Sequence, residues 1–258
     1  HNPYWESHEK RFVWMPEGIT SSIAPPAKAE TIYFVGCTSS YRRTEIAQAT
    51  VKILNHLKIP YAIMGGEEWC CGSPLFRTGQ VKAALETMTH DLEALRKIGA
   101  KRLIVSCAGC YRAFKEAPRF DLELPVEVLH VTELLAPLIK EGKVDFREKI
   151  AEKLTYHDPC HMGRHLNVYE PPREILTSIP LELVEMPRNR RNAFCCGCGG
   201  GVRAEFKDFA LETGVKRLEE ARALGVNTIT SACPFCKHNF IETANEYKLD
   251  MKVYDVME

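Results

Sequence analysis

Short runs of β-branched and aromatic residues alternate along this chain with longer stretches in which apolar residues recur every three or four positions. The short runs predict buried strands, and the longer stretches predict amphipathic helices. In the first half the predicted strands are TIYFVGC, YAIMG, RLIVSC and VEVLHV, with helical patterns around IAQATVKILNHL and VKAALETMTHDLEALRKIG. This alternation is typical of an α/β fold made of βαβ units around a parallel sheet.

The second half of the chain repeats this order, with predicted strands KLTYHDPC, LELVEM, NTITSAC and MKVYDVM and the segments PPREILTSI and FKDFALETGVKRLEEARALG between them. We therefore predict two duplicated Rossmann-like domains with parallel sheets, one over residues 30–145 and one over residues 146–258. Residues 1–29 lack the pattern and contain IAPPAKAE, so we predict an extended arm or linker there.

The composition excludes several classes of function. Lys plus Arg and Asp plus Glu both number 34, and this balance argues against a nucleic-acid partner. No apolar run is long enough to span a membrane, and the N-terminus has no signal-peptide core. We expect a cytoplasmic protein, either free or bound to the cytoplasmic face of a membrane complex. Because the chain begins with His1 and ends within a strand-like run, we expect it to be a piece of a longer polypeptide.

Ten of the eleven cysteines form two copies of one pattern: a single cysteine, an adjacent Cys-Cys-Gly, and a CxxC pair. The intervals are 32 and 35 residues in the first copy and 34 and 36 in the second, so the two copies arose from one unit. We predict all ten to be metal ligands and cofactor-binding residues. They are Cys37, Cys70, Cys71, Cys107 and Cys110 in the first copy, and Cys160, Cys195, Cys196, Cys233 and Cys236 in the second.

The cysteines lie where predicted strands end, as in VGC, VSC, HDPC and SAC. Open parallel sheets bind ligands at the carboxyl ends of their strands. Helix N-termini there also favour the thiolate, which is the form that binds a metal. The sequence thus places the sulfur atoms where such folds usually hold a ligand.

The number of cysteines bears on the metal. Zinc takes four ligands, whereas each copy offers five, and adjacent cysteines suit a cluster in which neighbouring thiolates reach different irons. The compact C-x2-C-x2-C run of common cubane clusters does not occur. A structural zinc site in one motif remains an alternative, and disulfides are disfavoured because a chain of this length folds without them.

At these residues the chain resembles the cysteine-rich, or CCG, domain family, which includes the catalytic B-type and D-type components of heterodisulfide reductase. The resemblance implies a non-cubane [4Fe-4S] cluster at each complete motif, and hence two iron-sulfur clusters. It implies an oxidoreductase that reduces a small-molecule disulfide of the CoB–CoM kind as one subunit of a complex.

Other members of the family are iron-sulfur subunits of quinone-linked complexes. They leave open a second function, in which an electron-transfer subunit connects a flavoprotein or ferredoxin partner with a quinone or membrane partner. The stretch NPYWESHEKRFVW also resembles the linker that joins an upstream ferredoxin-like domain to this pair of domains. A ferredoxin-like domain or subunit and a flavoprotein subunit are therefore the expected partners.

The resemblance further implies that each sulfur of the disulfide binds a cluster iron and that reduction with protonation releases two thiols. His157 and His161 flank Cys160 in YHDPCHMGR, and imidazoles titrate in the useful pH range, so we predict them as catalytic proton donors. The alternative is that they cap a helix and pack the loop.

A cation follows each ligand loop within seven residues. These cations would offset negative clusters or hold an anionic substrate. They are Arg42, Arg77, Arg112, Arg164, Arg203 and Lys237.

Overall fold

The structure, a computed structural model, describes residues 2–15, 26–144, 146 and 153–258. Its contacts divide the chain into two compact units, His1–Val131 and Thr132–Glu258. The boundary predicted at 145–146 falls in a stretch of which only residue 146 is described. The predicted domain limits therefore stay a prediction.

The first unit has a three-stranded parallel sheet in the order β1-β2-β3. Its strands are β1 (Thr31–Phe34), β2 (Arg102–Val105) and β3 (Glu127–His130). Its helices are α1 (Cys37–Tyr41), α2 (Thr44–His56), α3 (Ser73–Arg77), α4 (Val81–Ile98) and α5 (Ala108–Lys115). Parallel neighbours require crossover connections, and the helical segments between the strands supply them, as predicted.

The second unit has a four-stranded parallel sheet in the order β5-β4-β6-β7. Its strands are β4 (Lys153–His157), β5 (Glu182–Leu183), β6 (Thr228–Ser231) and β7 (Lys252–Asp255). The helix α6 (Val131–Lys140) begins at the division between the units, and the helices after it are α7 (Gly163–Leu166), α8 (Glu170–Ser178), α9 (Val202–Glu205), α10 (Lys207–Arg222) and α11 (Pro234–Glu246). The predicted α/β class with parallel sheets is confirmed.

One predicted strand is much shorter in the structure. Of the run YAIMG, only Ala62 pairs with a strand, through a single parallel bridge to Ile32. The chain then turns into a 3-10 helix over Gly65–Glu67, which carries it away from the sheet edge towards the Cys-Cys pair. The β-branched pattern correctly predicts a segment beside the sheet, but the turn ends the pairing.

Apolar burial on both faces of each sheet stabilises the units. In β1 the three residues Ile32, Tyr33 and Phe34 are all buried, as expected for a parallel strand covered on both faces. Helix α4 buries Met88, Leu92 and Leu95 on one face, and each such side chain contributes about 1.5–3 kcal/mol. Across the described residues, no helix is both long enough and apolar enough to span a membrane.

The N-terminal segment (residues 2–15) contains a 3-10 helix over His8–Phe12. Arg11 and Trp14 in this segment are buried. Residues 16–25, within the predicted extended arm, lie outside the described residues. The described part of the arm therefore includes regular structure and core-facing side chains.

Two constraints, a positive φ angle and a close backbone contact, favour glycine after each Cys-Cys pair. Gly72 and Gly197 have φ angles of 74° and 90°, which L residues rarely adopt. A Cβ at Gly72 would also lie 2.9 Å from the carbonyl oxygen of Ala84, and one at Gly197 would lie 2.6 Å from that of Ala210. The turn thus packs each Cys-Cys loop directly against the backbone of a long helix, α4 or α10.

This packing gives a stability prediction. Gly72→Ala should destabilise the protein by about 1–2 kcal/mol from its positive φ and by about 1–3 kcal/mol more from the contact with Ala84. Gly79 is the matched control, because its φ is 78° and a Cβ there would meet nothing within 4 Å. Urea unfolding of both variants under identical metal loading measures the difference. Equal losses for the two variants would contradict the close packing.

Candidate metal centre

The structure places the cysteines at the carboxyl ends of the strands, as predicted. Cys37 begins α1 directly after β1, and Cys107 precedes α5 after β2. Cys233 likewise stands at the N-cap of α11 after β6. Backbone N-H groups at a helix N-terminus are unpaired within the helix and act in favour of a negatively charged sulfur. At Cys37 the hydrogen bond with Cys70 and burial outweigh this effect and hold the pKa of the thiol well above its usual value.

The side chains of each predicted set come together as one row of neighbouring thiols. Each thiol in a row is hydrogen-bonded to the next. In the first group the order is Cys37, Cys70, Cys71, Cys110 and Cys107. In the second group it is Cys160, Cys195, Cys196, Cys236 and Cys233. The two rows connect equivalent positions of the repeat in the same order.

Each row concentrates negative charge on one of its inner sulfurs. Hydrogen bonds from Cys110 and Cys70 lower the pKa of Cys71 to about 6. Hydrogen bonds from Cys160 and Cys196 lower the pKa of Cys195 to about 2. Several thiolates in such a space repel one another, so further ionisation needs added positive charge. A metal centre supplies that charge and displaces the thiol protons.

The backbone also contributes to these groups. The amide of Gly197 donates a hydrogen bond to the sulfur of Cys195 over 3.3 Å. The amides of Gly72 and Ser73 hydrogen-bond to Cys70 and Cys71. Such N-H donors stabilise a thiolate and, where a cluster is bound, influence its reduction potential.

The donor set fits a multi-iron cluster. Five sulfurs in one connected row exceed the four ligands of a zinc ion, and the adjacent cysteines of each row both take part. A Cβ at Gly36 would lie 3.2 Å from the sulfur of Cys110, and the φ angle of Gly36 is 76°, so glycine suits the close approach of the first loop. A group larger than one ion therefore matches the sulfur arrangement in both units.

A smaller set within the second group is relevant to the zinc alternative. One ring nitrogen of His157 and the sulfurs of Cys196 and Cys236 lie within 4.8 Å of one another. However, Nδ1 of His157 accepts a hydrogen bond from Nε of Arg217 over 3.2 Å, so that nitrogen already uses its lone pair.

The two predicted catalytic histidines lie in different surroundings. His157 is buried, and both burial and the nearby Arg217 cation hold its pKa well below the usual value, so its ring is neutral. His161 is partly exposed, and its ring centroid lies 5.8 Å from that of His165. Their catalytic roles stay a prediction.

His157 occupies a position that an aromatic side chain takes in the first unit. Its ring packs edge-on against Phe240 at 4.9 Å, and Phe34 packs edge-on against Phe114 at 5.0 Å. Both pairs join the strand before the first cysteine to the helix that contains the second cysteine of the CxxC pair. The imidazole thus replaces a core ring without changing the packing geometry.

The structure also reveals an arginine at the first group that no pattern along the chain had singled out. Arg11 donates to Glu68 over 2.6 Å and to the sulfur of Cys37 over 3.5 Å, and it is buried. Glu68 in turn accepts hydrogen bonds from the backbone amides of Val35 and Gly36. No local signal identifies this contact, because Arg11 and Glu68 are 57 residues apart.

A buried ion pair also lies beside the first cysteine of the second group, but residues at non-equivalent positions of the repeat form it. Arg173 donates to both carboxylate oxygens of Asp158 over 2.7 and 2.9 Å. Asp158 also accepts a hydrogen bond from the backbone amide of Arg190 over 2.8 Å. The loop that carries Cys160 is therefore held by a carboxylate two residues before the cysteine.

The predicted cations near the ligand loops mostly form ion pairs with carboxylates. Arg77 pairs with Glu116 over 2.8 Å, and Arg203 pairs with Glu242 over 3.0 Å. Each partner in the second pair stands 126 positions after its counterpart, so the repeat preserves the contact. Each pair connects the helix after the Cys-Cys loop to the helix, or its C-cap, that carries the second cysteine of the CxxC pair.

Asn239 is another residue that sequence reasoning missed. Its buried side-chain amide donates to the carbonyl oxygen of Cys196 over 2.7 Å and to that of Ala210 over 2.9 Å. It thereby fixes the second Cys-Cys loop between α10 and α11. Its position three residues after Cys236 was the one available signal.

Comparison with known proteins agrees with this geometry. The family model described as "Cysteine-rich domain" (CCG) matches residues 31–115 and 154–241, one match in each unit. The chain belongs to the cysteine-rich domain family.

Several curated proteins are similar to this chain. The D-type component of dihydromethanophenazine:CoB–CoM heterodisulfide reductase from Methanosarcina mazei is 44% identical over all of this chain and 64% of its own length. The probable iron-sulfur-binding oxidoreductase FadF of Bacillus subtilis is 35% identical over all of this chain and 38% of its own. EtfAB:quinone oxidoreductase of Syntrophomonas wolfei is 31% identical over the same full chain and 38% of its own. The chain thus spans less than two thirds of the length of these relatives.

Among solved structures, glutamate racemase isoform RacE1 of Bacillus anthracis aligns with 90% of this chain and 78% of its own at a TM-score of 0.38 and 15% identity. That likeness is too distant to bear on function.

The contacts of Asn239 give a second prediction. Asn239→Ala should destabilise the protein by about 2–3 kcal/mol, because two buried carbonyl groups each lose one hydrogen bond. Asn245→Ala on the same helix is the matched control, since Asn245 is exposed, and its effect should stay within about 0.5 kcal/mol. Chemical unfolding compares the two. A small effect at both positions would show that the amide does not hold the loop.

Proposed function

We propose that the protein is an iron-sulfur oxidoreductase that reduces a small-molecule disulfide, with one non-cubane four-iron cluster in each group of five cysteines. The observation that carries the proposal is the pair of thiol rows, which join equivalent cysteines in the same order. Two equivalent metal centres in one chain match the electron count of the reaction.

Reduction of a disulfide consumes two electrons and two protons and yields two thiols. Iron-sulfur clusters supply electrons one at a time, so two clusters provide the pair. The chain contributes ten cysteine ligands, amide donors to the sulfurs, and burial that keeps water away from most of the ligands.

Exposure of the second group supports the approach of a substrate there. Cys160 and Cys195 are partly exposed, whereas all five cysteines of the first group are buried. His161 follows Cys160 and is also partly exposed. Of the two predicted proton donors His161 is the stronger candidate, because the buried ring of His157 is held neutral.

The proposed substrate class rests on the relatives. The Methanosarcina proteins named as D-type components of CoB–CoM heterodisulfide reductase cover the whole of this chain at 43–44% identity. We propose a heterodisulfide of this kind as the substrate. A ferredoxin-like domain or subunit and a flavoprotein subunit are the proposed electron donors.

A second candidate function is electron transfer without disulfide chemistry. The relative named EtfAB:quinone oxidoreductase supports it, since that name specifies EtfAB and a quinone as reaction partners. The two candidates differ in one respect: only the reductase binds a disulfide at its clusters. Electron paramagnetic resonance of the oxidised protein with added heterodisulfide separates them. The signal of a disulfide reductase should change, whereas that of an electron-transfer subunit should not.

The metal content is the first test. Protein purified without oxygen should contain about eight irons and about as much acid-labile sulfide per chain, which corresponds to two four-iron clusters. Iron, sulfide and zinc analysis measures this. About four irons with one zinc, or zinc alone, would exclude the paired-cluster mechanism.

The equivalence of the two groups gives a further prediction. Cys71→Ala and Cys196→Ala each remove the second cysteine of one Cys-Cys pair, and each should abolish disulfide reduction, because both clusters must supply an electron. Activity with reduced donor and heterodisulfide is measured beside the iron content. Cys198→Ala is the control, because Cys198 is buried outside both five-cysteine sets. Full activity in either ligand variant would exclude the two-cluster mechanism.

A further inference from the structure

The N-terminal segment packs on the elements that carry the first group of cysteines. The hydroxyl of Tyr4 hydrogen-bonds to that of Thr38, next to Cys37, over 2.8 Å. His8 hydrogen-bonds to the carbonyl of Gly66 over 2.8 Å, in the turn that leads to the Cys-Cys pair. The segment thus contacts two of the three loops that supply ligands.

Arg11 is the residue through which this segment reaches a ligand sulfur. Its guanidinium donates to the sulfur of Cys37 over 3.5 Å, and it lies 5.3 Å from the ring centroid of Tyr41. Both Arg11 and its carboxylate partner Glu68 are at most 2% exposed. A cation so shielded from solvent acts on nearby charge with little screening.

The charges around a cluster influence its reduction potential. Reduction adds one negative charge, so a nearby cation stabilises the reduced form and a nearby carboxylate destabilises it. Arg11 touches the ligand sulfur itself, whereas Glu68 binds the amides of Val35 and Gly36 in the turn before it. The two side chains are therefore expected to act in opposite directions on the same cluster.

We propose that Arg11 is a positioning residue of the first group, which binds the sulfur of Cys37 and raises the reduction potential of the cluster bound there. This inference rests on the proposed function, because it requires a cluster in the first group. It assigns to the N-terminal segment a direct part in the chemistry of the site. The segment and the first cluster are then coupled, so that loss of the Arg11 contact makes that cluster harder to reduce.

The test is a redox titration monitored by electron paramagnetic resonance on anaerobically purified protein with its iron counted. In Arg11→Gln the reduced-to-oxidised ratio of one cluster at a fixed potential should fall about tenfold, which is a shift of about 59 mV for a one-electron couple. In Glu68→Gln the same cluster should shift towards higher potential. Arg11→Lys, which keeps the charge, should stay close to the wild type.

Opposite shifts separate a charge effect from structural damage, because damage would move both variants in the same direction. Arg102→Gln is the matched control, since Arg102 forms an exposed pair with Glu127 over 3.2 Å, away from the cysteines. It should move neither cluster. Selective loss of about half the iron in Arg11→Gln, with full iron in Arg11→Lys, would also support the proposal.

Several outcomes would overturn the inference. They are unshifted potentials in Arg11→Gln with full iron, shifts of the same sign in Arg11→Gln and Glu68→Gln, or a shift in Arg11→Lys as large as in Arg11→Gln. Absence of iron from the wild type would overturn the proposed function and this inference with it. The iron count of the wild type thus distinguishes the two failures.

Discussion

Mutual repulsion among five crowded cysteine sulfurs, once they ionise to thiolates, is the constraint on which the rest of each unit depends. The thiols of a group are within hydrogen-bonding distance of their neighbours, and in the first group all five are buried. Such a group is stable as thiols that share protons, or as thiolates around a positively charged centre. Helix N-termini, loop amides and glycine turns surround the sulfurs because each of them accommodates negative charge or close approach.

Features around the five cysteines recur in both units, whereas some of the residues near them differ. The Cys-Cys-Gly turn, the helix after it and the ion pairs Arg77–Glu116 and Arg203–Glu242 recur in both units. The strand before the first cysteine instead ends in Phe34 in one unit and in His157 in the other. The two groups of cysteines thus share an arrangement of sulfur atoms and differ in the polarity of the residues nearby.

A buried ion pair holds the loop of the first cysteine in both units, but the residues that form it are not at equivalent positions. Each first-cysteine loop is fixed by a carboxylate and an arginine, Glu68 with Arg11 in one unit and Asp158 with Arg173 in the other. The carboxylate follows its loop by about 30 residues in the first case and precedes the cysteine by two in the second. A desolvated carboxylate needs a cation and amide donors whatever its position in the sequence. The two units can therefore place that carboxylate at different positions.

The sequence determined the fold class and singled out the ten cysteines proposed as ligands, because both depend on local spacing. Residue periodicity predicts strands and helices, and the repeated cysteine intervals identify residues that share one function. The tertiary structure decided the order of sulfurs within each group, the truncation of YAIMG to a single bridge, and the contact of Arg11 with Cys37. Those features depend on which distant residues meet. Burial of a charge is stable only where folding brings it a partner, and no pattern along the chain encodes that meeting.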